Sequence, residues 1–197
     1  MAKDEIILMS HGGGGRRTHQ LLRDHILPPL DNPLLRQMDD AACLDVAGSE
    51  LAFTTDSYVI RPLFFPGGDI GRIAVCGTVN DLAMQGAQPL YLTLGLILEE
   101  GLRISDLDRI MSSLAAAARE AGVQIAAGDT KVVERGAGSG VFINTSGLGL
   151  RRPGINTHVS HTKVGDVVLI TGTIGDHGMA VLSQREGLQF QDRKSVV

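Results

Sequence analysis

The spacing of hydrophobic residues changes several times along this chain, and the changes predict alternating strands and helices. Runs rich in apolar and β-branched residues predict strands at 49–60, 89–100, 123–133 and 141–150. Apolar residues at helical spacing predict helices at 69–86 and 105–122. Long strands separated by whole helices favour a sheet domain of the α+β or α/β class.

The two ends of the chain give weaker patterns. The apolar run at 5–9 predicts a strand or an extended arm, and a helix through residues 21–30 is ended by Pro28 and Pro29. Residues 166–178 predict a strand, a turn and the start of a helix. The last residues form no obvious closing element, so we expect the chain to be part of a longer protein.

Composition narrows the class of protein. Of the 197 residues, 43% are hydrophobic and 20% charged, and the formal net charge is −4, which is ordinary for a soluble globular protein without a basic field for nucleic acid or anionic membranes. We find no signal-peptide pattern and no stretch long enough to span a membrane. Cys43 and Cys76 stand apart, so we expect two reduced thiols in a cytoplasmic protein. Neither has a nearby base that would make it a nucleophile.

The glycine run in "SHGGGGRRTHQ", residues 10–20, suggests a phosphate-binding loop. It lacks the spacing, lysine and hydroxyl residue of a Walker A loop, and it does not give the G-x-G-x-x-G of a dinucleotide-binding unit. Two interpretations remain. One is a flap with free backbone N–H groups ahead of a helix N-terminus, which favours anions. The other is a flexible linker.

Carboxylates recur at the ends of predicted elements or in apolar surroundings. Asp81 follows "AVCGTV" and precedes "LAM", so we expect it to be partly buried, which is costly for an unpaired carboxylate. Mg²⁺ held with phosphate oxygens would relieve that cost. Asp56 and Asp129 each follow a predicted strand, and we expect them to converge at one sheet edge if those strands are neighbours. The alternative is that the Asn-Asp and Gly-Asp pairs are ordinary turn and cap residues.

Basic residues add two further candidates. Lys131 follows Asp129 by two positions, so it shares a strand face with that residue and can neutralise a phosphate; the alternative is a solvated strand-end lysine. The pair His158 and His161 in "HVSH" has a spacing compatible with a metal, but it lies in a polar segment with no cysteine ligand. The role of His177 stays open.

Two stretches resemble a known family. Residues 54–102, "TTDSYVIRPLFFPGGDIGRIAVCGTVNDLAMQGAQPLYLTLGLILEEGL", and 127–136, "AGDTKVVERG", resemble the N-terminal half of the HypE family of hydrogenase maturation factors, the carbamoyl dehydratases. That family belongs with aminoimidazole ribonucleotide synthetase, thiamine-monophosphate kinase and selenophosphate synthetase. The resemblance implies an α+β fold with a four-stranded mixed sheet flanked by helices, which pairs in a homodimer to form an eight-stranded barrel. It also implies three parts: an N-terminal segment at 1–48, an ATP-binding and dimerisation domain at 49–165, and the start of a C-terminal domain at 166–197.

The resemblance also implies a site for ATP and Mg²⁺ at the dimer interface. The metal positions that match are Asp40, Asp56, Asp81 and Asp129, whereas Asp39 is the less favoured of its pair. The implied nucleotide-binding residues are His11, Gly12, Gly13, Gly14, Gly15, Asn80, Thr130 and Lys131. Lys131 is also the implied catalytic residue.

The implied reaction uses ATP to dehydrate an S-carbamoyl group on a C-terminal cysteine to a thiocyanate, which supplies cyanide ligands for [NiFe] hydrogenase. The implied partners are a carbamoyltransferase and iron-carrying scaffold maturation proteins, not nucleic acid or membrane. Cys43 and Cys76 do not match the family's tail cysteine, so this fragment is not expected to complete the reaction alone. The rivals are another ATP-using enzyme of the superfamily and a non-catalytic dimerisation or nucleotide-binding module. A reactive cysteine followed by lysine, the mark of selenophosphate synthetases, is missing from "SHGGGGRR".

Overall fold

A five-stranded mixed sheet forms the centre of the fold. The computed structural model describes residues 6–138, 140–155, 157 and 159–187. The sheet strands are β1 Ala42–Val46, β2 Ser49–Tyr58, β5 Ala87–Glu99, β6 Gln124–Val133 and β7 Val141–Arg151, and β3 Phe64–Phe65 pairs with β4 Gly68–Asp69 in a separate hairpin. The sheet order is β1-β2-β7-β5-β6, in which β5 and β6 are parallel and the other neighbours are antiparallel.

The number of strands differs from the prediction. The four long strands that the hydrophobic pattern predicts are all present, but the four-stranded sheet is wrong because β1 adds a fifth strand beside β2. The turn between them consists of Ala47 and Gly48, both with positive φ, which is the geometry that joins two twisted strands tightly. β1 lies within the segment 1–48 that we assigned to the N-terminus. The domain limits themselves stay a prediction.

Both helices predicted next to these strands are confirmed. The α-helices are α1 Arg16–Leu21, α2 Ile70–Met84, α3 Ile104–Ala121 and α4 Asp176–Glu186. α2 begins where the Asp69 carboxylate accepts hydrogen bonds from the backbone N–H groups of Gly71 and Arg72. α3 ends at Gly122, whose φ of 69° is the left-handed conformation that glycine adopts most readily.

The core lies between the sheet and the pair α2–α3. Ile70, Ala74 and Ile110 from the helices are buried against Val141 and Ile143 of β7. A second apolar group, Val75, Leu92, Leu114, Ala117, Ala118 and Val123, continues this layer. The sheet therefore has one face covered by helices, and its other face is open in the single chain.

The two ends of the chain follow the sequence pattern only in part. Residues 16–26 are helical and end before Pro28, as predicted, but residues 167–170 form no strand. Val168 and Leu169 are 88% and 87% exposed, because a strand needs a hydrogen-bonded neighbour and the described residues supply none here. The helix predicted after this segment is confirmed as α4. Within the described residues, every helix is too short or too polar to cross a lipid bilayer.

Candidate functional site

Three of the predicted carboxylates gather where β2 meets α2. Asp56 lies on β2 and Asp81 on α2, and Asp40 lies just before β1. The Thr54 hydroxyl is 2.8 Å from the main-chain oxygen of Asp40 and 3.1 Å from the Asp81 carboxylate. Thr54 and Asp56 share the helix-facing side of β2, because alternate residues of a strand lie on the same face. The fold therefore brings together three of the four acidic residues that the sequence analysis selected.

The electrostatics of this carboxylate cluster favour a cation. Burial raises the pKa of Asp81 above its usual value, the Thr54 hydrogen bond lowers it, and the negative charges of Asp56 and Asp40 raise it further. Mutual repulsion across the cluster would be relieved by a bound positive charge. Asn80 is exposed on α2 beside Asp81, as a nucleotide-binding residue would need to be.

These carboxylates do not enclose a metal ion by themselves. In the part of the chain that the structure describes, no group of three or more His, Cys, Asp or Glu side chains lies close enough to form a complete metal site. Mg²⁺ commonly keeps water and binds through one or two carboxylates together with substrate phosphates. The oxygen donors of the cluster therefore fit a Mg²⁺ ion that arrives with a phosphate ligand and do not fit a closed metal site.

A chain of hydrogen-bonded hydroxyl groups joins β2, α2 and β7 in the neighbouring part of the core, and it was not predicted from the sequence. The Tyr58 hydroxyl is 3.1 Å from Thr78 Oγ1 on α2, Thr78 contacts the Thr145 hydroxyl of β7, and Thr145 donates to the main-chain oxygen of Ala74. Burial raises the pKa of Tyr58 well above its usual range, so the phenol stays neutral. A Cβ atom on Gly77 would lie 2.3 Å from the Tyr58 hydroxyl oxygen. The signal in the sequence was Gly77 inside a predicted helix, since a residue without a Cβ atom allows another side chain to approach the helix backbone closely.

Asp129 lies on another part of the sheet. It is on β6, and β7 and β5 separate that strand from β2, so three strand spacings of ~4.8 Å place the two backbones about 14 Å apart. The condition for Asp56 and Asp129 to converge, that their strands are neighbours, is therefore not met within this chain. Asp129 is opposite Gly95 in the register, whereas the flanking Leu94 and Leu96 pack towards the helices. This places Asp129 on the open face.

Lys131 pairs with Asp129 as the shared strand face predicts. Its Nζ is 3.1 Å from Asp129 Oδ2, and the two side chains are 70% and 71% exposed. The hydrogen bond from Lys131 lowers the pKa of Asp129, and a backbone hydrogen bond from Thr130 lowers it further. An open groove of about 420 Å³ is lined by Leu94, Leu96 and residues 125–130, which include Asp129 but not Lys131. The phosphate-neutralising role of Lys131 stays a prediction.

In the part of the chain described, residues 10–15 make hydrogen bonds only to residues within seven positions along the sequence. Residues 9–11 form one 3₁₀ turn, in which His11 Nδ1 accepts from the Leu8 N–H at 3.0 Å, and α1 begins directly after Gly15. A Cβ atom added to Gly13, Gly14 or Gly15 would meet nothing within 4 Å. The segment thus lies ahead of a helix N-terminus with its backbone exposed, and its role as a phosphate flap stays a prediction.

The remaining candidates are less informative. Cys43 and Cys76 are free thiols, as predicted. His158 lies outside the described residues, so the metal site considered at 158–161 stays untested. The His177 ring makes an edge-to-face contact with Phe65, with ring centres 5.5 Å apart, which gives it a packing role between α4 and β3.

Comparison with known proteins identifies related chains. Residues 38–151 match the family described as AIR synthase related protein, N-terminal domain. A carbamoyl dehydratase HypE from Rhizobium leguminosarum bv. viciae is 52% identical over 92% of this chain and 52% of its own length. The chain spans about half the length of the curated relatives it matches.

Two solved structures resemble this chain. A crystal structure of a HypE–HypF complex contains a chain that is 53% identical, with a TM-score of 0.81 over 90% of this chain and 56% of the other. A crystal structure of HypE in complex with ATP is 50% identical, with a TM-score of 0.62 over 94% of this chain and 55% of the other.

Proposed function

Because the chain belongs to the AIR synthase related family through its N-terminal domain, we propose that it is the ATP-binding and dimerisation part of a carbamoyl dehydratase of the HypE type. The observation that carries the proposal is the carboxylate cluster of Asp40, Asp56 and Asp81 in a chain about half identical to proteins of that name. The ATP bound to a HypE relative supports the nucleotide, and the donor set of the cluster supports Mg²⁺.

The reaction removes water from an S-carbamoyl group on a cysteine beyond the part of the protein described. The carbamoyl oxygen attacks the γ-phosphorus of ATP, ADP leaves, and one N–H proton is lost. Expulsion of phosphate with loss of the second N–H proton then leaves the S–C≡N group. The chain contributes by holding the triphosphate in line and neutralising its charge, which is how most of the acceleration of phosphoryl transfer arises. Mg²⁺ would be held by the carboxylate cluster and would spread the charge of the phosphates.

The open sheet face supports a homodimer. It carries large apolar side chains that are 42–46% exposed, and these are Phe53, Tyr91, Ile97 and Leu150. Two such faces packed together would bury this surface, and an eight-stranded barrel of the kind implied by the family would use four of the five strands of each protomer. We propose that the edge strand β6 of one protomer then lies beside the β1–β2 edge of the other, which would bring the Asp129–Lys131 pair near the partner's carboxylate cluster. The separation of the two groups within one chain is then expected, since each site draws on both protomers.

We also propose partners and a location for the protein. The complex of a HypE relative with HypF supports a carbamoyltransferase as the donor partner, and iron-carrying scaffold proteins would receive the product. The two free thiols fit a reducing cytoplasm.

The decisive experiment measures conversion of the carbamoyl adduct to the thiocyanate. The protein is prepared at the length of its relatives, loaded by its carbamoyltransferase partner and given ATP, and the loss of one water from the adduct is followed by mass spectrometry. The double variant Asp81→Asn/Asp129→Asn should slow this conversion by more than about 100-fold. An unchanged rate would show that these carboxylates are not part of the site. ATP consumption without a thiocyanate would instead favour another ATP-using enzyme of the superfamily.

A further inference from the structure

Thr54 links the three parts of the carboxylate cluster. It is 6% exposed and lies on β2, two residues before Asp56. Its hydroxyl reaches the main-chain oxygen of Asp40 at 2.8 Å and the Asp81 carboxylate at 3.1 Å. Among the described residues, it is the one side-chain donor to Asp81. The Thr54 hydroxyl on β2 therefore contacts both the segment before β1, at Asp40, and helix α2, at Asp81.

The surroundings of Thr54 are otherwise apolar. Ala41, Ala52 and Leu82 form a small buried cluster at this end of the sheet. Gly147, the register partner of Thr54, has Thr78 Cγ2 and Leu82 Cδ1 within 3.0 Å of the position a Cβ atom would take. α2 thus lies tightly on the sheet here, and the hydroxyl of Thr54 is a polar group held at a fixed position in that contact.

A threonine hydroxyl has one hydrogen, whereas two acceptors lie within its reach. It can donate to the Asp40 carbonyl or to the Asp81 carboxylate at one time, and both oxygens are held around it. Packing alone would be served equally by valine, which has the same shape. We therefore attribute the hydroxyl to a role in alignment. It holds the backbone at Asp40 and the carboxylate of Asp81 in fixed positions.

We propose that Thr54 is a positioning residue that sets the spacing of Asp40, Asp56 and Asp81 for a Mg²⁺-nucleotide. This inference rests on the proposed function of the cluster. Thr54 itself does not contact the cation or the phosphates. Groups that orient metal ligands in this way commonly change metal affinity by 10–100-fold when they are removed.

The matched variants separate the hydrogen bond from the packing. Thr54→Val removes the hydroxyl and keeps the shape, and Thr54→Ser keeps the hydroxyl and removes the methyl group. Thr145→Val is the control, because Thr145 is fully buried and its hydroxyl contacts Thr78 and the Ala74 carbonyl but no carboxylate. Should Thr54→Val fail to fold by circular dichroism, Thr54→Ala takes its place.

The measurement is calorimetric binding of a non-hydrolysable ATP analogue with Mg²⁺ to the protein prepared at the length of its relatives, as in the activity experiment. We expect Thr54→Val to weaken binding by about tenfold or more, and Thr54→Ser and Thr145→Val to stay within about threefold of the unmodified chain. In the Asp81→Asn background, Thr54→Val should have little further effect, because the group it positions has been replaced.

The results of this experiment test the proposed nucleotide function and the positioning role of Thr54 separately. If the unmodified chain does not bind the analogue, the proposed nucleotide function fails. If the unmodified chain binds and Thr54→Val binds equally well, the positioning role of Thr54 fails alone. An equal loss of binding in Thr145→Val and Thr54→Val would assign the effect to general stability, which also overturns the proposal.

Discussion

The acidic residues occupy two regions of this molecule that differ in almost every physical respect. At the β2–α2 contact, Asp81 lies among other carboxylates, and burial raises its pKa. On β6, Asp129 is exposed and paired with Lys131, and its pKa is lowered. The first region is partly buried and crowded with carboxylates, whereas the second is exposed and carries its own cation. The proposed homodimer would bring these two regions together.

The strongest test of this comparison mixes two inactive variants. Asp56→Asn and Asp129→Asn should each lower ATP-dependent dehydration by more than about 100-fold in homodimers. If each site draws on both protomers, a heterodimer has one site with both substitutions and one with neither. Mixing the variants under conditions of subunit exchange should therefore restore part of the activity, measured as thiocyanate formed. Mixtures that stay inactive would place both carboxylates in a site within one chain.

The next test concerns how tightly the β2–α2 region is packed. In Gly77→Ala, the new methyl group would overlap the Tyr58 hydroxyl, at a cost of about 1–3 kcal/mol, although alanine is the better helix former by ~1 kcal/mol. We expect a net loss of up to about 2 kcal/mol, which corresponds to a fall in Tm of up to ~8 °C. Gly172→Ala is the control, because a Cβ atom there meets nothing within 4 Å. Equal Tm values for the two variants would show that Tyr58 can move aside easily.

The sequence could predict the elements but not which of them become neighbours. Hydrophobic spacing located α2, α3 and the four long strands, since local periodicity determines those patterns. The order of strands depends on long-range packing, so the distance between Asp56 and Asp129 was not accessible. β1 was missed because five residues before a tight turn give little periodicity. The strand predicted at 166–178 is absent because strand formation needs a partner that the described chain does not supply.

In the candidate site too, the sequence predicted features that depend on local pattern and missed those that depend on long-range packing. Asp81 was identified because a carboxylate in an apolar sequence is unusual, and the structure confirms its partial burial. Thr54, Tyr58 and Thr145 were missed, since threonine and tyrosine are ordinary strand residues. Their hydroxyl contacts exist only after β2, β7 and α2 have packed together.

A smaller effect should distinguish the carboxylate cluster from the Asp129–Lys131 pair. Replacing an aspartate by asparagine should change the free energy of unfolding in opposite directions in the two regions. Asp81→Asn removes a charge that is partly buried beside two other carboxylates, so we expect the free energy of unfolding at neutral pH to rise by about 0.5–1 kcal/mol while nucleotide binding falls. Asp129→Asn removes one member of an exposed ion pair, and we expect stability to stay equal or fall slightly. Urea unfolding of both variants checks this prediction. A loss of stability in Asp81→Asn would mean that the carboxylate is well compensated in the folded chain.

The smallest expected effect concerns the hydrogen bonds between Glu99 and the loop that follows β6. The Glu99 carboxylate accepts hydrogen bonds from the backbone N–H groups of Gly136 at 2.6 Å and Gly140 at 2.8 Å, across the loop that follows β6. These bonds lower the pKa of Glu99, so its contribution to loop stability is present above the ordinary glutamate pKa and is lost as the pH falls through the lowered value.

Amide hydrogen exchange measured by NMR over an acidic pH series would detect that loss. Protection of the Gly136 and Gly140 amides, corrected for intrinsic exchange, should fall below the lowered pKa of Glu99. In Glu99→Gln the protection should be weaker and independent of pH, because the amide is neutral throughout. Glu100→Gln is the control, since the neighbouring glutamate is exposed and its carboxylate makes no hydrogen bond to the described residues of this loop. Protection that is the same in all three proteins would show that the loop is ordered by the strand pairing of β5 with β6 and β7, and that even the open edge of the sheet does not depend on a charged side chain.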